Sequence, residues 1–172
     1  YAREPELKLQ LLDLNKLIQE ILTLYETTSI AEGGDLHSYI HLDLTHNLPP
    51  IKGDSTRLRQ VIHNLLQNAQ DTLSDVSEPT LTVSTKIVQD GVCLSLSDNG
   101  KGFPSQVRMR AFEPYVTTKL KGTGLGLPIV KKIVEEHNGT IKIENIEPHG
   151  AHIAITLPTV FEDNAANIHE IT

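Results

Sequence analysis

The sequence predicts an α/β domain, because two periodicities run through it. Apolar residues recur at helical spacing in three segments and alternate with period two in five others, with Gly, Pro and Asn at the joins. The length of 172 residues suffices for one compact core and is short for two.

Residues 1–12 carry Pro5 and mixed charge and are expected to be a linker remnant outside the core. Asp13 is placed to cap a helix whose Leu14, Leu17, Ile18, Ile21, Leu22 and Tyr25 share a face, and Gly33-Gly34 should end it. Tyr39–Leu44 alternates, with Ile40, Leu42 and Leu44 on one face, and reads as a strand with that face buried. After Pro49-Pro50, Asp54 or Ser55 opens a second helix carrying Leu58, Val61, Ile62, Leu65, Leu66, Ala69 and Leu73 on one side. Thr80–Gln89 and Val92–Ser97 flank Asp90-Gly91, a strong hairpin signal, and should pair antiparallel. A Gly-dense polar loop, Asp98–Pro104, follows; Ser105–Phe112 is expected to hold a short helical piece, and 113–124 has no clear period. Gly126–His137 returns to helical spacing and should stop at Asn138-Gly139. Thr140–Asn145 and Ala151–Leu157 alternate as two more strands, and the polar, unpatterned residues 160–172 are expected to be a disordered tail.

Composition excludes several function classes. Acidic residues outnumber basic ones by 22 to 15, a net charge of -7, which disfavours a sequence-independent grip on nucleic acid. The single Cys93 cannot close an intrachain disulfide, and no apolar run approaches the roughly 18 residues needed to span a bilayer. A reducing, aqueous compartment fits best. The chain opens on Tyr1 without the pattern of a signal peptide and is expected to be part of a longer protein.

Four local features can carry chemistry. Asn64 and Asn68 stand four residues apart on the second helix, so both carboxamides can reach one hard cation; alone, such a pair usually means a solvated face. Asp98-Asn99-Gly100-Lys101-Gly102 follows a strand, offering a carboxylate that accepts from an exocyclic amine and glycines that let backbone approach a ligand. Phe112-Glu113-Pro114-Tyr115 holds two aromatics that could simply pack on the core. Gly122-Thr123-Gly124-Leu125-Gly126-Leu127 leads into a helix and presents amide N–H groups suited to phosphates. It follows a loop rather than a strand, which argues against a Rossmann unit.

In this order and spacing the four resemble the N, G1, F and G2 boxes of the histidine kinase catalytic and ATP-binding domain, within the superfamily of gyrase, heat-shock chaperone, histidine kinase and mismatch-repair ATPases. The resemblance covers Leu14 to Leu157. Phe112–Lys119 and Asn68-Ala69-Gln70-Asp71 are most similar to nitrogen-regulation (NtrY-like) sensor kinases, and Tyr1-Ala2-Arg3 with Asp13-Leu14-Asn15 resembles the junction after their dimerisation helices. It implies a two-layer α/β sandwich of Bergerat type, a mixed, largely antiparallel sheet covered on one face by three helices, with a mobile ATP lid. It further implies a linker over 1–12, the catalytic domain over 13–159 and a tail over 160–172.

Carried over residue by residue, the resemblance makes Asn68 the Mg²⁺ ligand and Asn64 its partner, the two catalytic candidates. Asp98 would read the adenine amine, with Gly100 and Gly102 shaping that wall. Tyr115–Thr123 would be the lid, bringing Tyr115, Thr118, Lys119, Lys121, Gly122 and Thr123 to the nucleotide. Gly122, Gly124 and Gly126 would let the lid close over the phosphates, with Leu125 and Leu127 anchoring its end. The cofactors implied are ATP and Mg²⁺. The implied partners are the protein's own dimerisation and phosphoacceptor domain in a homodimer and a response regulator, with no nucleic acid and no direct membrane contact. The implied place is the cytoplasm, in a parent protein that could be an inner-membrane sensor.

Departures accompany the matches. Asp71 and Thr72 stand where many histidine kinases have a basic and then an aromatic residue, which shifts phosphate neutralisation onto Mg²⁺ and the lid lysines. None of the eight histidines sits in a phosphoacceptor motif; His169-Glu170-Ile171 only begins like one. His149 and His152 have the look of a metal pair but lack further ligands, and no zinc is assigned. Two rivals stay open: a self-contained ATPase, which would want a carboxylate base where Asn64 stands, and a nucleotide-binding regulatory module.

Overall fold

The computed structural model describes residues 6–32, 39–104 and 126–159. The expected helical piece at Ser105–Phe112, the segment Tyr115–Thr123 with its neighbours Gly124 and Leu125, and the tail 160–172 lie outside them. The elements run β1 (Gln10–Leu12), α1 (Leu14–Glu32), β2 (Ile40–Leu44), β3 (Ile51–Gly53), α2 (Ser55–Leu73), β4 (Leu81–Val88), β5 (Gly91–Asp98), α3 (Gly126–Glu136), β6 (Thr140–Asn145) and β7 (Ala151–Pro158).

Five strands form one sheet in the order β2-β4-β5-β7-β6, parallel between β2 and β4 and antiparallel elsewhere. Alternation does the sorting. Val83, Val92, Leu94, Leu96, Ile153, Ile155 and Leu157 point to the helix side and are buried with the apolar faces of α1, α2 and α3. The opposite face is polar, with Ser84 bonded to Ser95 at 2.6 Å and Ser97 to Nδ1 of His152 at 2.7 Å across the ladder. A mixed sheet covered on one face by three helices is thus the architecture of the described residues.

The two long helices form where local signals place them. Asp13 caps α1 through its Oδ1, which accepts from the Lys16 N–H. Asp54 caps α2 and accepts from the Arg57 N–H. The buried positions of α2 are Leu58, Val61, Ile62, Leu65, Leu66, Ala69 and Leu73, the face its spacing predicts. No described helix is long and apolar enough to cross a membrane.

Three expectations need correction. The end of the supposed linker belongs to the fold: Gln10–Leu12 pair antiparallel with β3, and the Lys8 N–H donates to Oδ2 of Asp54 at 3.0 Å. A bridge from Ile51 to Thr159 then ties this ribbon to β7. The hairpin turn lies at Gln89-Asp90, with Gly91 inside β5 opposite Val88. Gly91 is required there because a Cβ would stand 2.0 Å from the Leu157 carbonyl oxygen. Helix α3 stops at Asn138-Gly139 as its sequence predicts, with Asn138 the left-handed residue, φ 60°. The N–H groups of Asn138 and Gly139 close a Schellman motif onto Glu135 and Val134. Finally, β2 is an edge strand, and its expected buried face leaves Leu42 47% exposed.

Two polar ties hold the layers in register. The buried Thr85 hydroxyl donates to Oδ1 of Asn15 at 2.8 Å and accepts from the Thr45 N–H, while Nδ2 of Asn15 donates to the Thr45 carbonyl. This cycle fixes the start of α1 to the parallel pair. The second tie is His137, which is buried. Its Nε2 accepts from the Asp54 N–H at 3.0 Å and its Nδ1 meets the Ile133 carbonyl at 2.7 Å. Only a neutral imidazole with the proton on Nδ1 satisfies both partners.

Backbone donation from Lys8, aided by that from Arg57 and Thr56, holds the Asp54 carboxyl below the ordinary carboxylate range against the opposing pull of burial. A depressed folded-state pKa gives stability that is complete above the unfolded value of about 3.9 and is lost as pH falls through the folded value. Asp54→Ala should therefore cost about 1–2 kcal/mol at neutral pH. In urea unfolding at several pH values the gap from the unaltered chain should narrow below about pH 4; a gap independent of pH would show that the charge plays no part.

Candidate functional site

The site is built on one stripe of α2. Asn64, Asn68 and Thr72 are spaced by four residues, so they follow one another along a single face over about 12 Å. All three are half-buried, beside rather than within the apolar face. The stripe meets two different structures along its length.

Asn68 meets the start of α3. A Cβ on Gly126 would stand 3.4 Å from Nδ2 and 3.6 Å from Oδ1 of Asn68, so glycine there keeps the backbone close to the carboxamide. The first turn of α3 presents main-chain N–H groups and the positive end of a helix dipole; Pro128, lacking an N–H, costs nothing at this position. Oxygen donors on one helix therefore face amide donors on another. Such an end suits an anionic group accompanied by a hard cation.

Thr72 meets the loop that follows β5. A Cβ on Gly100 would lie 2.5 Å from Cγ2 of Thr72 and 3.1 Å from Oδ1 of Asp98, so this glycine allows the loop to lie against α2. Oδ1 of Asp98 accepts from the Gly100 N–H at 2.9 Å and the Ala151 N–H at 3.3 Å, which fixes the plane of the carboxylate. Gly102 has φ 77°. This end offers an oriented acceptor beside a small apolar surface, suited to a flat group bearing an N–H.

Neighbouring side chains stiffen the helices. Arg59 on α2 pairs with Glu20 on α1. Burial pushes the Tyr25 phenol up to about 12, so it stays a donor, and it bonds Nδ1 of His63, the residue before Asn64. Nδ1 of His149 is bonded to the Asn99 carbonyl and Nδ1 of His152 to Ser97, so these two rings serve separate contacts.

The structure thus brings Gly126 to Asn68 and Gly100, with Asp98, to Thr72 on the same helix; Asn64 lies one turn before Asn68 on that face, and Gly102 continues the Asp98 loop. Tyr115, Thr118, Lys119, Lys121, Gly122, Thr123, Gly124 and Leu125 lie outside the described residues. Sequence reasoning passed over the clamp on the Asp98 loop. Asn99 holds the Thr80 N–H and the Glu78 carbonyl, and Asn145 holds both main-chain groups of Phe103. One signal was available: Asn145 is polar at the position where Ile141 and Ile143 set an inward-facing alternation.

Comparison with known proteins agrees with this fold. Residues 53–160 match the family described as histidine kinase-, DNA gyrase B- and HSP90-like ATPase. Sensor histidine kinase ZraS of Escherichia coli O157:H7 is 39% identical over 159 residues, 91% of this chain and 33% of that protein. A putative NtrY-like sensor histidine kinase of Rickettsia conorii is 44% identical over 102 residues, 59% of this chain and 17% of that protein. The chain therefore spans about a third or less of the length of these relatives. Among solved structures, the nucleotide-free catalytic domain of histidine kinase ThkA superposes with a TM-score of 0.74 at 29% identity, covering 88% of this chain and 96% of that one. ThkA in complex with the response regulator protein TrrA gives 0.70 at 27% identity, covering 91% and 43%.

The Gly100 packing yields a stability test. Gly100→Ala should destabilise the domain by about 1–3 kcal/mol, since the added methyl overlaps Thr72. Adding Thr72→Ser, which removes that methyl, should recover part of the loss in thermal unfolding. Purely additive effects would mean the two residues are not in contact.

Proposed function

This chain belongs to the histidine kinase-, DNA gyrase B- and HSP90-like ATPase family, and from that premise we propose that it is the ATP-binding catalytic domain of a two-component sensor histidine kinase. It would transfer the γ-phosphate to a histidine on a separate dimerisation domain. The observation that carries the reading is the α2 stripe, which faces an anion-suited helix start at Asn68 and an amine-suited carboxylate loop at Thr72. A nucleotide has that polarity, base at one end and phosphates at the other.

In this reading Asp98 accepts from the adenine amino group, with its plane set by the Gly100 and Ala151 N–H groups. Gly100 and Gly102 form the wall along the base. The first turn of α3, beginning at Gly126, receives the phosphates, and Lys119 and Lys121 are assigned to them by sequence. The residues fit Mg²⁺: Asn68 and Asn64 offer amide oxygens from a rigid helix, and no group of three His, Cys, Asp or Glu among the described residues would hold a metal alone. That suits a cation that keeps waters and shares its shell with phosphate oxygens. When bound, it supplies neutralisation of charge on the transferring phosphoryl group. The chain's own contribution is to hold the nucleotide so that the γ-phosphate faces outward for in-line attack by the incoming imidazole.

The identity of Asn64 supports phosphotransfer over self-contained hydrolysis, because an amide cannot take a proton from water at neutral pH. The ThkA complex with TrrA supports a response regulator as downstream partner. The parent protein would be a homodimeric sensor working on the cytoplasmic side.

Incubating the chain with a histidine-bearing dimerisation domain and γ-labelled ATP should label the histidine in a Mg²⁺-dependent way. Absence of transfer, with ATP still bound, would favour a regulatory nucleotide module. Asn68→Ala should lower MgATP affinity or transfer by at least about tenfold, the scale of one lost interaction with a charged group; unchanged calorimetric affinity together with unchanged transfer would remove Asn68 from the metal site. The chain alone should hydrolyse ATP very slowly even at saturation, and rapid steady-state turnover would revive the ATPase reading.

A further inference from the structure

The Asp98–Phe103 loop is shaped from outside by the turn between β6 and β7. Strand register sets Asp98 and Asn145 on either side of Ala151 at one end of the sheet. Oδ1 of Asn145 accepts from the Phe103 N–H at 2.7 Å, and its Nδ2 donates to the Phe103 carbonyl at 2.8 Å. One exposed side chain therefore acts as a strand partner for a single loop residue. The space a side chain at 102 would need is already filled: a Cβ there would lie 2.9 Å from Oδ1 of Asn145 and 2.8 Å from the Gly150 carbonyl oxygen. Elsewhere on the loop, Nδ1 of His149 donates to the Asn99 carbonyl at 3.0 Å, and the Ala151 N–H reaches Asp98.

We propose that Asn145, acting through Phe103 and Gly102, is a positioning residue for base recognition by Asp98. The inference rests on the ATP reading above. A carboxamide bonded to both main-chain groups of Phe103 fixes that residue's position and tilt, and only four residues separate it from Asp98. Releasing this end lets the Gly100–Gly102 wall shift relative to the carboxylate. The phosphate end is held by α2 and α3, so loss of Asn145 acts on the base and spares the triphosphate.

The test is calorimetric titration of MgATP and MgGTP into the chain, Asn145→Ala and Asn145→Asp. Asn145→Ala should lower ATP affinity about tenfold, the scale of one or two backbone hydrogen bonds, and leave GTP affinity roughly unchanged. Asn145→Asp, nearly isosteric, should show the same narrowed preference at about pH 8, where a carboxylate cannot donate to the Phe103 carbonyl. Equal weakening of both nucleotides by either variant would assign Asn145 a scaffold role only and overturn the proposal. If thermal unfolding shows that Asn145→Ala does not fold, the Asp variant decides alone. Failure of the unaltered chain to prefer ATP would overturn the ATP reading, and this inference with it.

Discussion

The buried contact between His137 and Asp54 governs the geometry of this domain. It joins the C-terminal cap of α3 to the N-terminal cap of α2, and the imidazole meets both partners in one protonation state. Helices are stiff rods of about 1.5 Å per residue. Fixing the end of α3 to the start of α2, with Gly126 close to Asn68 further along, makes the two helices antiparallel neighbours. The functional separation is therefore set at the far end of both rods. Gly53 shows how tight the joint is, since a Cβ there would lie 2.7 Å from Cδ1 of Leu58 and 3.2 Å from Cδ2 of His137.

That joint also takes in the chain's first strand. The Lys8 N–H and the Arg57 N–H share the Asp54 carboxylate, so the approach to β1, the start of α2 and the end of α3 converge on one buried residue. A single charge can satisfy this many donors only because its cost of burial is offset by hydrogen bonds to its ionised form. The Asn15–Thr45–Thr85 cycle plays the corresponding part at the parallel edge of the sheet, with each donor in it answered by an acceptor. Apolar burial drives the layers together, and these polar ties decide how they sit.

The candidate site follows from the same division of labour. Its phosphate end belongs to two helices whose relation is set by the core, whereas its base end belongs to an irregular loop held by side chains of other elements. Loops cannot bury unsatisfied backbone, so their shape is written by whatever completes their hydrogen bonds. Here Asn99 and Asn145 do that on opposite sides of the Asp98 wall.

The sequence by itself determined whatever depends on neighbours within a turn or two. The seven buried residues of α2, the caps Asp13 and Asp54, and the alternating strands β4 to β7 were legible because periodicity and capping are local physics. The order of the chemical features, Asn64 and Asn68 before Asp98 before Gly126, was legible for the same reason. Only the tertiary structure decided the rest. Three-residue strands such as β1 and β3 have no period to read, and Gly91 is demanded by the carbonyl of a strand more than sixty residues away in sequence. Asn145 reaches Phe103 across 42 residues and His137 reaches Asp54 across 83. No window along the chain contains both partners of such a bond, so its geometry exists only once the sheet register and helix packing have brought them together.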